Sequence, residues 1–170
     1  IGRLTDQKDH LTLLKAFKRI HKIINLELLI VGYGVNKNKI QNFIKFNKLQ
    51  DKIKIINFQK NPYKFIKKSD VFVLTSRFEG LPNVLLESLV LKKFKLSSDC
   101  PTGPREILNN GKYGFLFKMQ NDKKLSELIL KYAKNKNKFR YKVELGYKSL
   151  KRFDLDLNCK KYYKIISKFI

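Results

Sequence analysis

Residues 76–87 read SRFEGLPNVLLE, and they come just after the apolar run VFVL at residues 71–74. The apolar run predicts a buried strand, Glu79-Gly80 a turn, and Pro82 the first position of a helix, where no amide donor is needed. The free amides and the dipole at a helix N-terminus favour a negatively charged ligand. The stretch therefore predicts an anion site where a strand passes into a helix.

Two carboxylates bracket this predicted site, Glu79 before the helix and Glu87 within it. Glu87 lies among apolar helix residues, so burying its carboxylate is costly unless a partner compensates. Because an ionised glutamate only accepts hydrogen bonds, a ligand hydroxyl suits either residue. A structural interpretation stays open for both, since Glu79 favours any helix N-terminus and Glu87 can pair with a lysine.

Strands and helices are predicted to alternate along the chain. A clipped strand before Arg3 is followed by strands at residues 26–31, 53–56, 71–74, 94–97 and 115–117. Helices are expected at residues 9–24, 36–47, 62–68, 82–90, 106–108, 122–134, 139–151 and 157–169. Such alternation is typical of a parallel sheet that helices cover on both faces. The predicted fold class is α/β, a doubly wound, Rossmann-like parallel sheet of about six strands in one domain.

The predicted strand order is 3-2-1-4-5-6, which places a ligand crevice between the first and the fourth strand. The loop after the first strand carries Arg3 and Lys8, and the loop after the fourth carries Glu79 and Glu87. Two cations opposite a helix N-terminus suit a diphosphate, and carboxylates on the same crevice suit hydroxyl groups. A sugar nucleotide has both parts.

The formal charge of +24 comes from 32 lysines and six arginines against 14 acidic residues. Three interpretations are open: a solvated lysine coat, attraction to an anionic membrane surface, or nucleic-acid binding. Lysines occur in every segment and arginines are few, which argues against a dedicated nucleic-acid groove. We therefore expect no nucleic-acid partner.

Candidates for metal or redox chemistry are few. Cys100 and Cys159 show no metal-ligand spacing and are expected to be free thiols in a reducing compartment. His10 and His21 are isolated, so no metal site is predicted. The segment at Ile1 resembles a cut through the end of a strand, which suggests part of a longer chain.

Several motifs, in order, carry a resemblance to a known family. They are Gly2-Arg3-Leu4 with Lys8, Val31-Gly32-Tyr33-Gly34, Phe58-Gln59-Lys60-Asn61, an E-x7-E pair from Glu79 to Glu87, Pro104-Arg105-Glu106-Ile107 and Asn110-Gly111-Lys112-Tyr113-Gly114. The chain resembles the C-terminal, donor-binding domain of retaining GT-B glycosyltransferases of glycosyltransferase family 4, also called glycosyl transferases group 1.

The resemblance implies roles for individual residues. Arg3, Lys8 and Glu79 would be catalytic: the two cations hold the donor diphosphate as it leaves, and Glu79 contacts the transferred sugar. Glu87 would take the ribose hydroxyls, and the segment from Phe58 to Lys60 would lie near the nucleobase. The implied donor-binding residues are Gly2, Gly34, Phe58, Lys60, Glu79, Gly80, Leu81, Pro82, Asn83, Val84 and Glu87.

The resemblance also implies a reaction. A hexose or N-acetylhexosamine would pass with retention from a UDP-, GDP- or ADP-sugar to a glycan or lipid-linked acceptor, without metal or other cofactor. The setting would be bacterial polysaccharide biosynthesis, such as lipopolysaccharide or capsule, in the cytoplasm or peripherally on the inner membrane. The acceptor would be bound by an N-terminal domain missing here, to which residues 154–170 would return as a terminal helix.

Two other functions stay open at this stage. The chain can be a non-catalytic nucleotide-sugar binding module or a truncated gene remnant, which an acceptor domain encoded before Ile1 would argue against. It can also bind nucleic acid on charge alone, in which case the binding would depend steeply on salt.

Overall fold

Five short strands alternate with eight α-helices in residues 1–169, the part of the chain that the computed structural model describes. The strands are β1 (Leu28–Val31), β2 (Ile53–Ile56), β3 (Val71–Leu74), β4 (Phe94–Ser98) and β5 (Phe115–Phe117). The helices are α1 (His10–Ile20), α2 (Lys37–Phe46), α3 (Tyr63–Lys68), α4 (Asn83–Val90), α5 (Pro104–Ile107), α6 (Asp122–Lys134), α7 (Arg140–Lys148) and α8 (Leu155–Ile166). Short 3-10 turns lie at Asp6–Lys8, Asn137–Phe139 and Ser149–Phe153.

The strands form two parallel sheets. β1 pairs with β2 from Leu28↔Ile53 onward, and the second sheet has the order β3-β4-β5. The predicted α/β class with parallel strands is confirmed. The predicted strand count is corrected, because the described residues form five strands in two sheets instead of about six in one.

The predicted strand that does not form is the one at the start of the chain. Gly2 N donates to Val31 O at 2.9 Å, and Leu4 N donates to Tyr33 O at 2.7 Å. A parallel neighbour of β1 makes bonds of this kind, but residues 1–4 form no strand. A cavity of about 740 Å³, lined by β1 and β3, separates the two sheets at this position.

Helices cover both faces of β4, the central strand of the second sheet, and all five of its residues are buried. Phe94 and Leu96 pack with apolar residues of α1 and α6. Lys95 points to the other face, where Leu89 of α4 and Gly146 of α7 lie against it. The predicted covering of the sheet by helices on both faces is thus present around β4.

The N-caps of three helices show how these helices begin. Pro62 and Pro82 occupy the N-cap positions of α3 and α4 instead of their first turns. At α6 the cap is Asn121, whose side chain accepts a 2.8 Å hydrogen bond from Lys124 N, and Asp122 lies in the first turn. The carboxylate of Asp122 still favours the positive end of the helix.

The predicted terminal segment, residues 154–170, forms α8, and Ile170 lies outside the described residues. None of the α8 residues is buried, and Leu155, Tyr162 and Ile166 are exposed along it. Its return to a second domain stays a prediction. Within the described residues, no helix combines the length and the apolar character needed to cross a membrane.

Candidate functional site

The segment before α1 connects the carboxyl ends of β1 and β3. Leu4 is bonded to Tyr33 beyond β1, and Arg77 N beyond β3 donates to Gln7 O at 2.8 Å. The Gln7 side chain also donates to Phe78 O at 3.0 Å. The two polar loops that the sequence placed on either side of a crevice are therefore in contact with each other.

Lys8 and Glu79 form an ion pair across this junction. The Lys8 ammonium lies 2.6 Å from Glu79 Oε1, and the side chains are only 17% and 8% exposed. Ser76 Oγ donates to the same oxygen at 2.6 Å, and Thr75 Oγ1 donates to Lys8 O at 2.8 Å. The lysine predicted to hold a phosphate thus compensates the charge of the glutamate predicted to contact a sugar.

Arg3 lies beside this pair with a freer side chain. Its guanidinium makes a hydrogen bond to Gln7 Oε1 that is long, at 3.5 Å, and the residue is exposed. A cation that is exposed and weakly held can reorient toward an incoming anion at little cost. Of the two cations predicted to hold a phosphate, Arg3 is therefore the less constrained.

The turn before α4 is held by the loop after β4. Thr102 Oγ1 donates to Glu79 O, and Gly103 has a φ of +84°. A Cβ on Gly103 would lie 2.2 Å from Gly80 O and 2.5 Å from Pro82 Cδ, so only glycine fits. This contact fixes the chain direction from which α4 begins.

The start of α4 keeps the predicted anion-binding geometry. Leu85 N bonds to Pro82 O at 2.8 Å, whereas Asn83 and Val84 carry the first amides of the helix, which no helical carbonyl can satisfy. Leu81 is exposed next to them. These amides and the helix dipole are available to a negatively charged group.

Glu87 is half-buried in α4, and burial raises the pKa of its carboxyl. No ion pair joins it to a lysine or arginine within residues 1–169. The structural alternative, a pairing with a lysine, is thus not what the described residues show. A carboxylate in this position has its acceptor capacity open to a ligand.

An aromatic pair lies beyond the ends of β1 and β2. The rings of Tyr33 and Phe58 meet edge to face with centroids 6.1 Å apart, and both are exposed. Lys60 is exposed nearby in sequence. Sequence reasoning singled out Phe58 and Lys60 but gave no role to Tyr33, although an aromatic residue between two glycines after a strand was a usable signal.

Gly2 and Gly34 hold the backbone of the first loop close to β1. Gly2 donates to Val31 O, as described above. Gly34 has a φ of +153°, and a Cβ there would lie 2.5 Å from Leu4 O. Gly34 is therefore required for the close approach of two backbone segments, whatever it contributes to a ligand.

Other polar groups do not form a metal centre in the described chain. No three His, Cys, Asp or Glu side chains in residues 1–169 come close enough to hold a metal ion. Cys100 is buried and Cys159 exposed, both as free thiols. Arg105 of α5 is paired with Asp99 of the loop that precedes the helix.

Comparison with known proteins identifies close sequence relatives. The chain is 36% identical to the uncharacterised glycosyltransferase MJ1059 of Methanocaldococcus jannaschii, over 98% of the chain and 48% of the relative. It is 33% identical, over 84% of the chain and 41% of the relative, to a Campylobacter jejuni N-acetylgalactosamine-N,N'-diacetylbacillosaminyl-diphospho-undecaprenol 4-alpha-N-acetylgalactosaminyltransferase. The chain spans less than half the length of these curated relatives.

Solved structures share the fold at low sequence identity. TarM of S. aureus superposes with a TM-score of 0.89 at 20% identity, over 96% of this chain and 34% of that one. HepE of Anabaena gives a TM-score of 0.89 at 18% identity, over 99% and 47%. The C-terminal domain of LpcC from Francisella tularensis gives 0.78 at 18% identity, over 89% and 82%.

A family assignment follows from a further match. The sequence model described as glycosyl transferases group 1 matches residues 1–149, which is most of the chain. This match confirms the resemblance to glycosyl transferases group 1, and the solved neighbours confirm the GT-B type of fold. The chain belongs to the glycosyl transferases group 1 family.

Proposed function

We propose that this chain is the donor-binding half of a retaining glycosyltransferase that uses a nucleotide-diphosphate hexose or N-acetylhexosamine. The observation that carries the proposal is the meeting of Lys8, Glu79 and the N-terminus of α4 between the ends of β1 and β3. Neighbours support a nucleotide ligand, because TarM and HepE were each crystallised with UDP. The C. jejuni relative is named for the transfer of N-acetylgalactosamine.

In the proposed donor complex, the diphosphate is bound by two cations, Arg3 and Lys8, and by the first amides of α4. Arg3 turns from Gln7, Lys8 exchanges Glu79 for a phosphate oxygen, and the first amides of α4 donate to the other phosphate. Preorganised donors of this kind stabilise the charge that develops on a leaving group. The donor's anomeric C–O bond then breaks and the nucleoside diphosphate departs. The acceptor hydroxyl oxygen bonds to the same face of the sugar, and its proton passes to the departing phosphate oxygen.

The two glutamates bind different parts of the rest of the donor. Glu79 accepts from a hydroxyl of the transferred sugar, and Glu87 accepts from the ribose. The exposed pair of Tyr33 and Phe58 offers flat apolar surface to the nucleobase, with Lys60 beside it. Both glutamates act as acceptors only, which suits hydroxyl-rich parts of the ligand.

We propose a glycan or lipid-linked acceptor, bound largely by a second domain. The name of the C. jejuni relative includes a diphospho-undecaprenol lipid, which supports a membrane-borne acceptor. The formal charge of +24 supports peripheral contact with an anionic membrane surface on the cytoplasmic side. Vesicle sedimentation tests this part, with binding expected to anionic vesicles and not to neutral ones.

Calorimetric titration with UDP-, GDP- and ADP-sugars tests the donor proposal. One class of donor should bind with a Kd of roughly 0.1–1 mM, or about −4 to −5.5 kcal/mol. Arg3→Ala should weaken that binding by roughly ten- to a hundredfold, because a hydrogen bond to a charged group contributes about 1.5–3 kcal/mol. Arg140→Ala, a matched change of an exposed arginine on α7, should have no effect. Absence of binding to all three donors by the folded chain would contradict the proposal.

A further inference from the structure

Ser76 connects Glu79 to the core of the second sheet through two hydrogen bonds. Its hydroxyl donates to Glu79 Oε1 at 2.6 Å, and its carbonyl accepts from Ser98 Oγ at 2.6 Å. Ser76 and Ser98 are both fully buried, and Ser98 is the last residue of β4. The position of the Glu79 carboxylate is thus tied to a strand that is buried on both faces.

The two carboxylate oxygens of Glu79 differ in their hydrogen bonds. Oε1 receives Lys8 Nζ and Ser76 Oγ, each at 2.6 Å. Oε2 takes part in no hydrogen bond of residues 1–169, and it is not among their fully buried atoms that lack a partner. Oε2 is therefore the oxygen that reaches solvent at the junction of the two loops.

We propose that Ser76 is a positioning residue for the binding of the donor sugar, acting through Glu79. It holds Oε1 so that Oε2 faces a hydroxyl of the sugar, and it keeps the carboxylate in place when Lys8 leaves for the diphosphate. This inference rests on the proposed function. Its physical basis is that a side chain already held in its binding conformation loses less conformational entropy when ligand arrives.

The inference predicts an effect confined to the sugar. Ser76→Ala should weaken binding of the best nucleotide sugar by roughly tenfold, which corresponds to about 1.4 kcal/mol. Binding of the matching bare nucleoside diphosphate should change less than about twofold. The ratio of the two affinities is the readout, because a general loss of structure would lower both.

Two further variants separate positioning from stability. Ser88→Ala removes a hydroxyl that is equally buried and donates to Leu85 O at 2.6 Å within α4, so it is the matched control and should leave the ratio unchanged. Glu79→Gln supplies a double-mutant cycle, in which Ser76→Ala should cause little further loss because its effect passes through Glu79. Thermal unfolding of each variant sets a temperature at which all are folded.

The outcomes distinguish the inference from the function on which it rests. If the unmodified chain binds no nucleotide sugar, both fail. If the chain binds a nucleotide sugar, two results would overturn the positioning role while the proposed function stands. One is an unchanged affinity ratio in Ser76→Ala, and the other is independent, additive effects of Ser76→Ala and Glu79→Gln. Should Ser76→Ala not fold, Ser76→Cys takes its place, since it keeps the volume with a weaker donor, under the same criterion.

Discussion

Lys8 has two competing partners, the carboxylate of Glu79 and the diphosphate of the proposed donor. Its ammonium is 2.6 Å from Glu79 Oε1 in a mostly buried setting, so the pair is screened less than a surface ion pair. Binding a phosphate through Lys8 therefore requires breaking a favourable contact, whereas Arg3 gives up only a long hydrogen bond. The net contribution of Lys8 is the difference between two strong interactions.

The two glutamates should have separable effects on ligand binding. Glu87→Gln should weaken binding of the bare nucleotide, whereas Glu79→Gln should leave it nearly intact and weaken binding of the sugar-bearing donor. The reason is their placement, since Glu79 precedes α4 and Glu87 lies within it. Calorimetry with each ligand pair measures this, and an equal loss of bare-nucleotide affinity in both variants would show that the division is wrong.

Glu87 should make the affinity for the donor depend on pH. Burial raises the pKa of Glu87, so its carboxylate becomes protonated at a higher pH than an ordinary glutamate. A protonated carboxyl loses acceptor capacity, and affinity for a nucleotide sugar should fall as the pH falls through this raised pKa. Glu87→Gln should remove that fall, and a profile that keeps it would assign the titration to another group.

Lys95 should reduce the stability of the fold at neutral pH. Its fully buried ammonium has no partner in the described residues, and burial lowers its pKa from 10.5 to about 7. Between pH 10.5 and 7 the unfolded chain therefore binds a proton that the folded chain does not. As the pH falls from 10.5 to 7, the free energy of unfolding therefore falls by up to roughly 4–5 kcal/mol, and it stays reduced below pH 7.

Lys95→Met should accordingly stabilise the chain by a few kcal/mol at pH 7 and by much less above pH 10.5. A methionine side chain is one heavy atom shorter than a lysine side chain, so it fits the space beside Gly146, where a Cβ would lie 3.3 Å from Lys95 Nζ. Lys54→Met, on the exposed face of β2, is the matched control and should change stability little at any pH. Urea unfolding at several pH values measures both, and a gain that does not depend on pH would refute the buried-amine explanation.

At the scale of elements, β1 and β3 present unpaired edges to the cavity between the sheets. Leu28 N and Gly32 N bond toward β2, so by alternation Leu29 and Val31 direct their backbone groups to the other side. Of these groups, Val31 O accepts a hydrogen bond from Gly2 N.

An apolar strand placed in this cavity should stabilise the chain. Adding Val-Ile-Val-Leu before Ile1 would continue the bonds of Gly2 along β1. Each buried side chain contributes about 1.5–3 kcal/mol against an ordering cost of about 1–2 kcal/mol per residue, so Tm should rise by several degrees. A Gly-Ser-Gly-Ser extension is the control, and equal Tm values for the two extensions would argue against a strand-accepting cavity.

The sequence predicted elements well where the signal was local. Residues 53–56, 71–74 and 115–117 are short apolar runs with polar flanks, and β2, β3 and β5 begin and end with them. The division of the strands into two sheets was not predictable, because it depends on whether residues 1–4 pair with both β1 and β3. The contact between Lys8 and Glu79 joins residues 71 apart, which a local pattern cannot show. The burial of Lys95 is likewise decided by helices from distant parts of the chain.

At the scale of the whole molecule, apolar surface remains unpaired on α8. Four exposed apolar residues recur at helical spacing: Leu155, Tyr162 and Ile166 in α8, and Phe169 just beyond it. The four lysines at 160, 161, 164 and 168 lie on the other side of the same helical wheel. An exposed apolar stripe of this kind is typical of an interaction surface. It supports the prediction that the segment meets a second domain.

The final prediction is that this chain alone binds a nucleotide sugar but does not transfer it. In the proposed donor complex, Arg3, the α4 amides and both glutamates would contact the donor from one side of the crevice. In residues 1–169 we identify no group set to hold an acceptor oxygen against the anomeric carbon. Positioning of reactants corresponds to roughly 7–11 kcal/mol of an activation barrier, and an open crevice also admits water, which weakens the electrostatic stabilisation of the leaving diphosphate.

The test incubates the purified chain with its best-binding donor and a lipid-linked or simple glycoside acceptor, with product detection by mass spectrometry. Donor binding under the same conditions is the control that shows the chain to be folded and competent. We expect binding without product, because the proposed donor site consists of Arg3, Lys8, Glu79 and α4, whereas acceptor positioning would require a further surface. Repeated turnover by this chain alone would mean that its described residues already position the acceptor, and the assignment of half an active site would then be wrong.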